Sequence, residues 1–146
     1  QSQCAAKLSV TADNVVRDVA IDGVSYNLPN GTDWTIPGTI DLSGLAPGTH
    51  VLTAMVNNWG YSGNSSESRT PTAGGFLAIF EGGNGDVYGV TGRGDQDLPV
   101  RFSTAAPPRT WTQPGFNDSQ WIAGNICPND TDHQWEGEPL IDAAFK

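Results

Sequence analysis

Aromatic and amide side chains are concentrated in one short stretch of the chain, residues 57–64. Its members of interest are Asn58, Trp59, Tyr61 and Asn64. A sugar site needs aromatic faces for the apolar side of the ring and planar amides or carboxylates for the hydroxyls. The stretch therefore predicts a carbohydrate-binding loop, which Trp34 would join if both loops lie at the same end of the fold. The alternative is that Trp59 and Tyr61 cover the core, because large aromatic side chains are mostly buried.

Carboxylates cluster nearer the C-terminus, in residues 129–138. Hard oxygen ligands at close spacing suit Ca²⁺, so Asp130, Asp132 and Glu136 are candidate calcium ligands. The order of these residues does not match an EF-hand loop. A solvated turn is the competing interpretation, because Asp and Asn are common turn residues.

Residues for nucleophilic catalysis are not arranged in a recognisable motif. His50 begins a predicted strand, His133 lies in the acidic stretch, and no G-x-S-x-G sequence occurs. A triad needs a histidine beside its nucleophile. Two carboxylates could hydrolyse a glycosidic bond, but their separation is a three-dimensional property. The sequence therefore favours a non-catalytic protein and leaves a hydrolase as a third hypothesis.

Two features indicate an oxidising, secreted environment. Cys4 and Cys127 lack CxxC spacing and predict one disulfide, although two free thiols or an external partner remain alternatives. N-x-S/T sequons, the candidate glycosylation sites, begin at Asn30, Asn64, Asn117 and Asn129. The first residue, Gln1, is typical of a mature terminus after removal of a signal peptide.

An Arg-Gly-Asp tripeptide occupies residues 93–95 between glycine-containing neighbours. In a projecting loop this tripeptide could serve integrin-type adhesion. Three-residue matches arise easily by chance, so the motif alone does not tell whether it is used.

The composition is typical of a turn-rich β domain. The chain has 146 residues, of which 37% are hydrophobic and 16% charged, with 18 Gly and 10 Pro. Its net charge of -9 would repel phosphates and disfavours nucleic acid as a partner. Membrane insertion is also disfavoured, because no apolar run approaches the roughly 20 residues that cross a bilayer.

Alternating apolar residues predict strands throughout, without a helical period. Val15–Ile21 and Val24–Tyr26 flank Asp22-Gly23, the pattern of a two-residue hairpin. Further strands are predicted at residues 50–57, 76–80, 87–90 and 100–102. Apolar side chains on both faces of 50–57 predict a strand whose two faces are both at least partly covered, as in the middle of a sandwich. Asp118 is predicted to cap a helical turn over 119–123.

Three segments resemble galactose-binding-like jelly-roll modules. Residues 11–14, Thr-Ala-Asp-Asn, lead to Asp22-Gly23 as in the family's "ADN... DG" opening. Residues 41–58 and 74–78 look like the central part of these modules, and 111–123 resembles their "W...FDDSxW.A" segment. The resemblance implies a secreted antiparallel β-sandwich of about eight strands. It also implies a carbohydrate-binding or adhesive module, often attached to larger extracellular proteins or glycoside hydrolases.

We therefore expect residues 1–146 to form one all-β domain, an antiparallel jelly-roll sandwich. Related modules continue into a Trp-rich closing strand, so we expect a domain excised from a longer chain, with a sheet edge open to self-association. Trp111 and Trp121 are predicted to be packing residues.

The functional hypothesis is a non-catalytic, extracellular, lectin-like module that binds a glycan or glycoconjugate. The alternative is an acidic, calcium-stabilised structural or adhesive matrix module without sugar affinity.

Overall fold

The computed structural model describes residues 5–57, 75–91 and 99–123. These residues form β-strands joined by turns, and they include no helix that could span a membrane. The strands, in chain order, are β1 (Ala5–Asp13), β2 (Val15–Ile21), β3 (Val24–Tyr26), β4 (Gly38–Asp41), β5 (Leu52–Asn57), β6 (Gly75–Gly82), β7 (Val87–Val90), β8 (Arg101–Phe102) and β9 (Ile122–Ala123).

The described strands form three antiparallel sheets. The first has the order β4-β1-β6-β7, the second β3-β2-β5, and the third pairs β8 with β9. The first two sheets pack face to face as a β-sandwich. The predicted all-β antiparallel sandwich is therefore confirmed.

The core lies between β1 and β2. Leu8, Val10 and Ala12 alternate along β1 and are at most 1% exposed, because alternate side chains on a strand point to the same face. They meet side chains of β2, including Val19, which is 0% exposed. Ser9 on the opposite face of β1 is also buried, since β4 and β6 flank this strand.

The predicted hairpin of β2 and β3 is confirmed. Asp22 and Gly23 have φ angles of 51° and 81°, the left-handed conformation that a two-residue turn requires. Residues 87–90 form β7 as predicted, and predicted strands 76–80 and 100–102 correspond to β6 and β8.

β5 begins at Leu52, two residues later than predicted, and among the described strands it pairs with β2. Residues 52–54 are half-buried, so both faces of β5 are partly covered, whereas Met55 and Val56 are 43% and 44% exposed. The predicted helical turn after Asp118 is wrong. Residues 119–123 do not form a helical turn, because the chain makes a tight turn at Asp118 and enters β9. The side chain of Asn117, rather than that of Asp118, accepts from Ser119 N at 3.0 Å.

Candidate binding cleft

Trp34 is the predicted sugar-binding residue that the described chain includes. Its side chain is half-buried, and its carbonyl oxygen accepts a hydrogen bond from Thr11 Oγ1 at 3.0 Å. Thr11 lies near the end of β1. Asn58, Trp59, Tyr61 and Asn64 lie outside the described residues.

The flanks of the 58–74 segment lie at the same end of the sandwich as Trp34. β5 ends at Asn57, which pairs with Val15. β6 begins at Gly75, which pairs with Asp13, two residues from Thr11. The topology therefore places both ends of the predicted loop near Trp34, and the contacts of the loop itself remain a prediction.

Several other predicted sites also lie outside the described residues. They are the calcium ligands Asp130, Asp132 and Glu136, the cysteines Cys4 and Cys127, the sequons at Asn64 and Asn129, and the tripeptide at 93–95. Among the described residues, no group of three or more His, Cys, Asp or Glu side chains could hold a metal ion. The sequon residues Asn30 and Asn117 are exposed, and Asn30 lies in a turn.

A cleft of about 840 Å³ lies beside β5. Residues 52–56 all line it, and because neighbouring side chains on a strand point to opposite faces, the cleft follows the edge of β5. Its other walls come from β6 and β7, the 45–51 loop and the 99–123 segment.

Three rings from the last of these segments form an aromatic cluster on one wall: Trp111, Phe116 and Trp121. The ring centroids of Trp111 and Trp121 are 6.2 Å apart, and those of Phe116 and Trp121 are 5.5 Å apart in an edge-to-face arrangement. All three side chains are half-buried and line the cleft. The cluster is therefore both a packing unit and an accessible aromatic surface.

A series of tight turns brings these rings together. Trp111 N donates to Pro108 O at 3.0 Å, and Phe116 N donates to Gln113 O at 3.2 Å. Gly115 has a φ of 83°, a left-handed conformation that glycine adopts without steric cost. The turns reverse the chain between the aromatic residues and so bring their rings together. In an extended strand the same rings would lie far apart.

Polar groups lie beside the aromatic cluster. The exposed side chain of Gln113 and the half-exposed carboxylate of Asp118 both line the cleft. Arg101 Nε lies 3.7 Å from Asp118 Oδ1, and Arg101 Nη1 donates to Trp121 O at 3.3 Å. The amide, guanidinium and carboxylate are all groups that hydrogen-bond to hydroxyls.

His50 also lines the cleft, where it links the 45–51 loop to the β2–β3 turn. Its Nδ1 lies 2.6 Å from Asp22 Oδ2, and its Nε2 lies 2.8 Å from Ala46 O. Asp22 Oδ1 also accepts from Val51 N at 2.9 Å. The hydrogen bond to Asp22 raises the pKa of His50, and the hydrogen bonds from His50 and Val51 lower the pKa of Asp22.

The remaining part of the cleft is apolar. Phe76 and Phe80 of β6 extend the core into it, and Tyr88 of β7 is 46% exposed there. Met55 and Val56 contribute aliphatic surface from β5. The cleft thus combines a long apolar floor with polar groups near the aromatic cluster.

Sequence reasoning did not select these cleft residues as a binding site. Trp111 and Trp121 were expected to pack, and they do contact each other, but they also line the cleft. The signal in the sequence is the even spacing of Trp111, Phe116 and Trp121 among small and polar residues. That spacing does not reveal exposure, which depends on where the 99–123 segment lies against β5.

Comparisons with known proteins show a fold likeness. No protein-family model and no curated protein matches the sequence. Among solved structures, the chain is similar to part of the α-L-rhamnosidase of Streptomyces avermitilis, solved in complex with L-rhamnose. The TM-score is 0.53 at 21% sequence identity, and the match covers 85% of this chain and 11% of that one. The likeness supports the β-sandwich fold, over a small fraction of the length of that enzyme.

Proposed function

We propose that this chain is a carbohydrate-binding module of the galactose-binding-like jelly-roll type, and that the cleft beside β5 is its sugar site. The observation that carries the proposal is the aromatic cluster of Trp111, Phe116 and Trp121, half-exposed on one wall beside Gln113 and Asp118. Ring faces suit the apolar side of a sugar, and the flanking amide and carboxylate suit its hydroxyls.

The fold comparison supports this proposal. The rhamnosidase to which the chain is similar was solved with L-rhamnose bound, and the matched part is 11% of that enzyme. A domain of that size attached to a glycosidase fits a role in holding the carbohydrate. L-Rhamnose is therefore the first sugar to test.

The charges along the cleft favour a neutral sugar. Arg101 and Asp118 lie close enough to neutralise each other, and His50 is paired with Asp22. The net charge of -9 also opposes an acidic saccharide. We therefore expect neutral hexoses and deoxyhexoses to bind better than uronic acids.

The same cleft supports binding without hydrolysis. Asp118 is the one carboxylate among the described residues that line it. Glycoside hydrolysis ordinarily requires two carboxyl groups across the scissile bond. We expect no turnover of aryl glycosides by the isolated chain.

Isothermal titration calorimetry of the intact chain tests the proposed function. The panel contains L-rhamnose, D-galactose, D-glucose and D-galacturonic acid, each with calcium and with chelator. We expect Gln113→Ala and Trp111→Ala to weaken the best interaction about tenfold, which corresponds to about 1.4 kcal/mol. Circular dichroism and thermal unfolding show whether each variant remains folded.

Trp34→Ala is the matched control, because it removes a half-buried tryptophan at the other candidate site. If Trp34→Ala abolishes binding while the two cleft variants do not, the sugar site lies at the end of the sandwich beside the 58–74 segment. Absence of binding to every sugar, with and without calcium, would contradict the lectin-like function.

A structural or adhesive role is a second candidate, favoured by β5, which among the described strands has β2 as its neighbour on one side. Its Met55 and Val56 are 43% and 44% exposed, and an unpaired strand edge can add a strand from another chain. Size-exclusion chromatography coupled to light scattering, with and without calcium, tests this role. Self-association without sugar affinity would favour it over the carbohydrate-binding function.

An extracellular location is likewise proposed, on the strength of the cysteines and sequons. Secretion of the chain from a eukaryotic host with a shift in mass on deglycosylation would support it. Mass spectrometry under non-reducing conditions tests the disulfide between Cys4 and Cys127.

A further inference from the structure

His50, Asp22 and the carbonyl of Ala46 form a cluster that we call the His50 clasp. It joins two segments separated in sequence, the β2–β3 turn and the loop that leads into β5. Both ring nitrogens of His50 are occupied, with contacts of 2.6 Å to Asp22 Oδ2 and 2.8 Å to Ala46 O. The carboxylate also holds Val51 N through its second oxygen.

The chemistry of these contacts requires a protonated ring. A carboxylate and a carbonyl both accept hydrogen bonds, so both nitrogens must donate, and only the imidazolium has two N–H groups. In the neutral ring, one nitrogen would present a lone pair to an oxygen. The clasp is therefore complete only when His50 carries a positive charge.

Among the residues that the structure describes, Asp22 from the β2–β3 turn is the charged side chain that contacts His50. Its neighbours in the 45–51 loop contribute the carbonyl of Ala46 and no charge. Arg101 and Asp118, the charged side chains of the 99–123 segment that line the cleft, lie close to each other.

The clasp is connected to both walls of the cleft. Ala46, His50 and Val51 line one wall. Asp22 precedes Gly23, and the side chain of Gln113 lies directly against Gly23, so that a Cβ added there would overlap it. A continuous series of contacts therefore runs from the 45–51 loop through the clasp to Gln113, beside the aromatic cluster.

We propose that His50 is a positioning residue that sets the separation of the two cleft walls as an imidazolium, so that sugar binding weakens as the pH rises. The proposal rests on the proposed function, because it concerns regulation of the same cleft. The imidazolium predominates below the pKa of His50, which hydrogen bonding to Asp22 raises from its ordinary value. Affinity is therefore highest in mildly acidic solution.

Calorimetric titrations with L-rhamnose and the other neutral sugars, from pH 5.5 to 9, test this proposal. A neutral sugar does not titrate in this range, so a change in affinity originates in the protein. We expect the Kd to rise about fivefold from the acidic to the alkaline end, the lower end of ordinary coupling between sites. His50→Gln should bind weakly and without pH dependence, whereas His133→Gln, at the other histidine, should keep the wild-type profile.

Asp22→Asn is the informative variant. Asn tolerates the left-handed φ of 51° at this position, and its amide oxygen can still accept from Val51 N. Its NH₂ group can donate to an unprotonated Nδ1, while Nε2–H donates to Ala46 O. The clasp then forms with a neutral ring, so we expect the affinity to be retained at pH 9 and the profile to flatten.

NMR separates failure of this proposal from failure of the proposed function. Without sugar, the ring of His50 should titrate above its ordinary pKa, and the side-chain amide signal of Gln113 should shift along with it. Wild-type sugar affinity that is constant across the pH range would overturn the proposal and leave the carbohydrate-binding function intact. If no sugar binds, the Gln113 signal decides: a shift that follows the titration and disappears in Asp22→Asn supports the clasp, and an unmoved signal overturns it.

Discussion

Single polar side chains hold backbone segments of this sandwich together. Asp22 accepts from the backbone of Val51 as well as from His50, so one carboxylate ties a hairpin turn to the start of β5. Thr91 does the same between β6 and β7. Its hydroxyl accepts from Ala78 N at 2.9 Å and donates to Phe76 O at 3.4 Å. Each of these two side chains therefore makes two hydrogen bonds and joins segments that are separated in the sequence.

The stability of the folded chain should depend on pH through the His50 clasp. The raised pKa of His50 makes its contribution full below the ordinary value of 6.5, and the contribution is lost as the pH rises through the raised pKa. The lowered pKa of Asp22 makes its contribution full above the ordinary value of 3.8 and lost at more acidic pH. Urea unfolding should therefore show a larger gap in stability between wild type and His50→Gln at pH 5.5 than at pH 9. An equal gap at both values would contradict the pairing.

Replacing Thr91 by Val should destabilise the fold. Thr91 is 7% exposed, and valine keeps its shape while leaving the N–H of Ala78 without the hydroxyl acceptor. The cost of an unsatisfied buried donor is about 1 to 3 kcal/mol. Chemical denaturation measures this loss. Thr91→Ser is the control, because it keeps the hydroxyl and should remain closer to wild type.

At the scale of the elements, turns and edges shape the cleft more than strand interiors do. The β2–β3 hairpin places the clasp at one end of β5, and successive turns in residues 108–121 place the aromatic cluster beside the same strand. Within the part of the chain that the structure describes, β5 pairs with β2 on one side, and residues 52–56 line the cleft.

Gly23→Ala should weaken both the hairpin and the cleft. The φ of 81° at Gly23 disfavours a Cβ by about 1 to 2 kcal/mol, and the added methyl would also displace the side chain of Gln113. We expect a loss of that size in urea unfolding, together with weaker sugar binding by calorimetry. Gly44→Ala is the matched control, since no atom lies within 4 Å of its added Cβ. A similar loss in both variants would show that the turn conformation is not the cause.

At the scale of the whole molecule, the buried strand β1 unites the two larger sheets. It pairs with β4 and β6 in its own sheet and packs against β2 of the other. Leu8, Val10 and Ala12 supply the central part of the core, which the apolar floor of the cleft extends through Phe76 and Phe80. Core and cleft are therefore two parts of one space between the sheets.

Truncating the core should be costly, whereas truncating an exposed residue should not. Leu8 is 0% exposed, and Leu8→Ala should lower the free energy of unfolding by about 2 to 5 kcal/mol through lost burial and a residual cavity. Val24 is 61% exposed, so Val24→Ala should stay within about 0.5 kcal/mol of wild type. Chemical denaturation of both variants measures the difference. Comparable losses would contradict the location of the core.

Strand type and the β2–β3 hairpin followed from local patterns. Alternating apolar residues and the positive φ tolerated by Asp22-Gly23 act within a few residues, so the sequence was sufficient to predict them. What covers the faces of β5 was not predicted, because apolar side chains on both faces can be covered either by two sheets or by a separate segment such as 99–123. The strand at residues 122–123 was missed for a similar reason, since it exists through pairing with β8.

The chain's β class, its acidity and its supply of aromatic and amide groups are properties of residues and short patterns, which the order of amino acids contains directly. The meeting of Trp111, Phe116 and Trp121 with His50 across one cleft is different. It joins residues far apart in the chain, and their separation depends on sheet order, on the register between β2 and β5, and on the turns that return the 99–123 segment to the edge of β5. Long-range packing selects among these arrangements, so the cleft and its clasp emerged only with the tertiary fold.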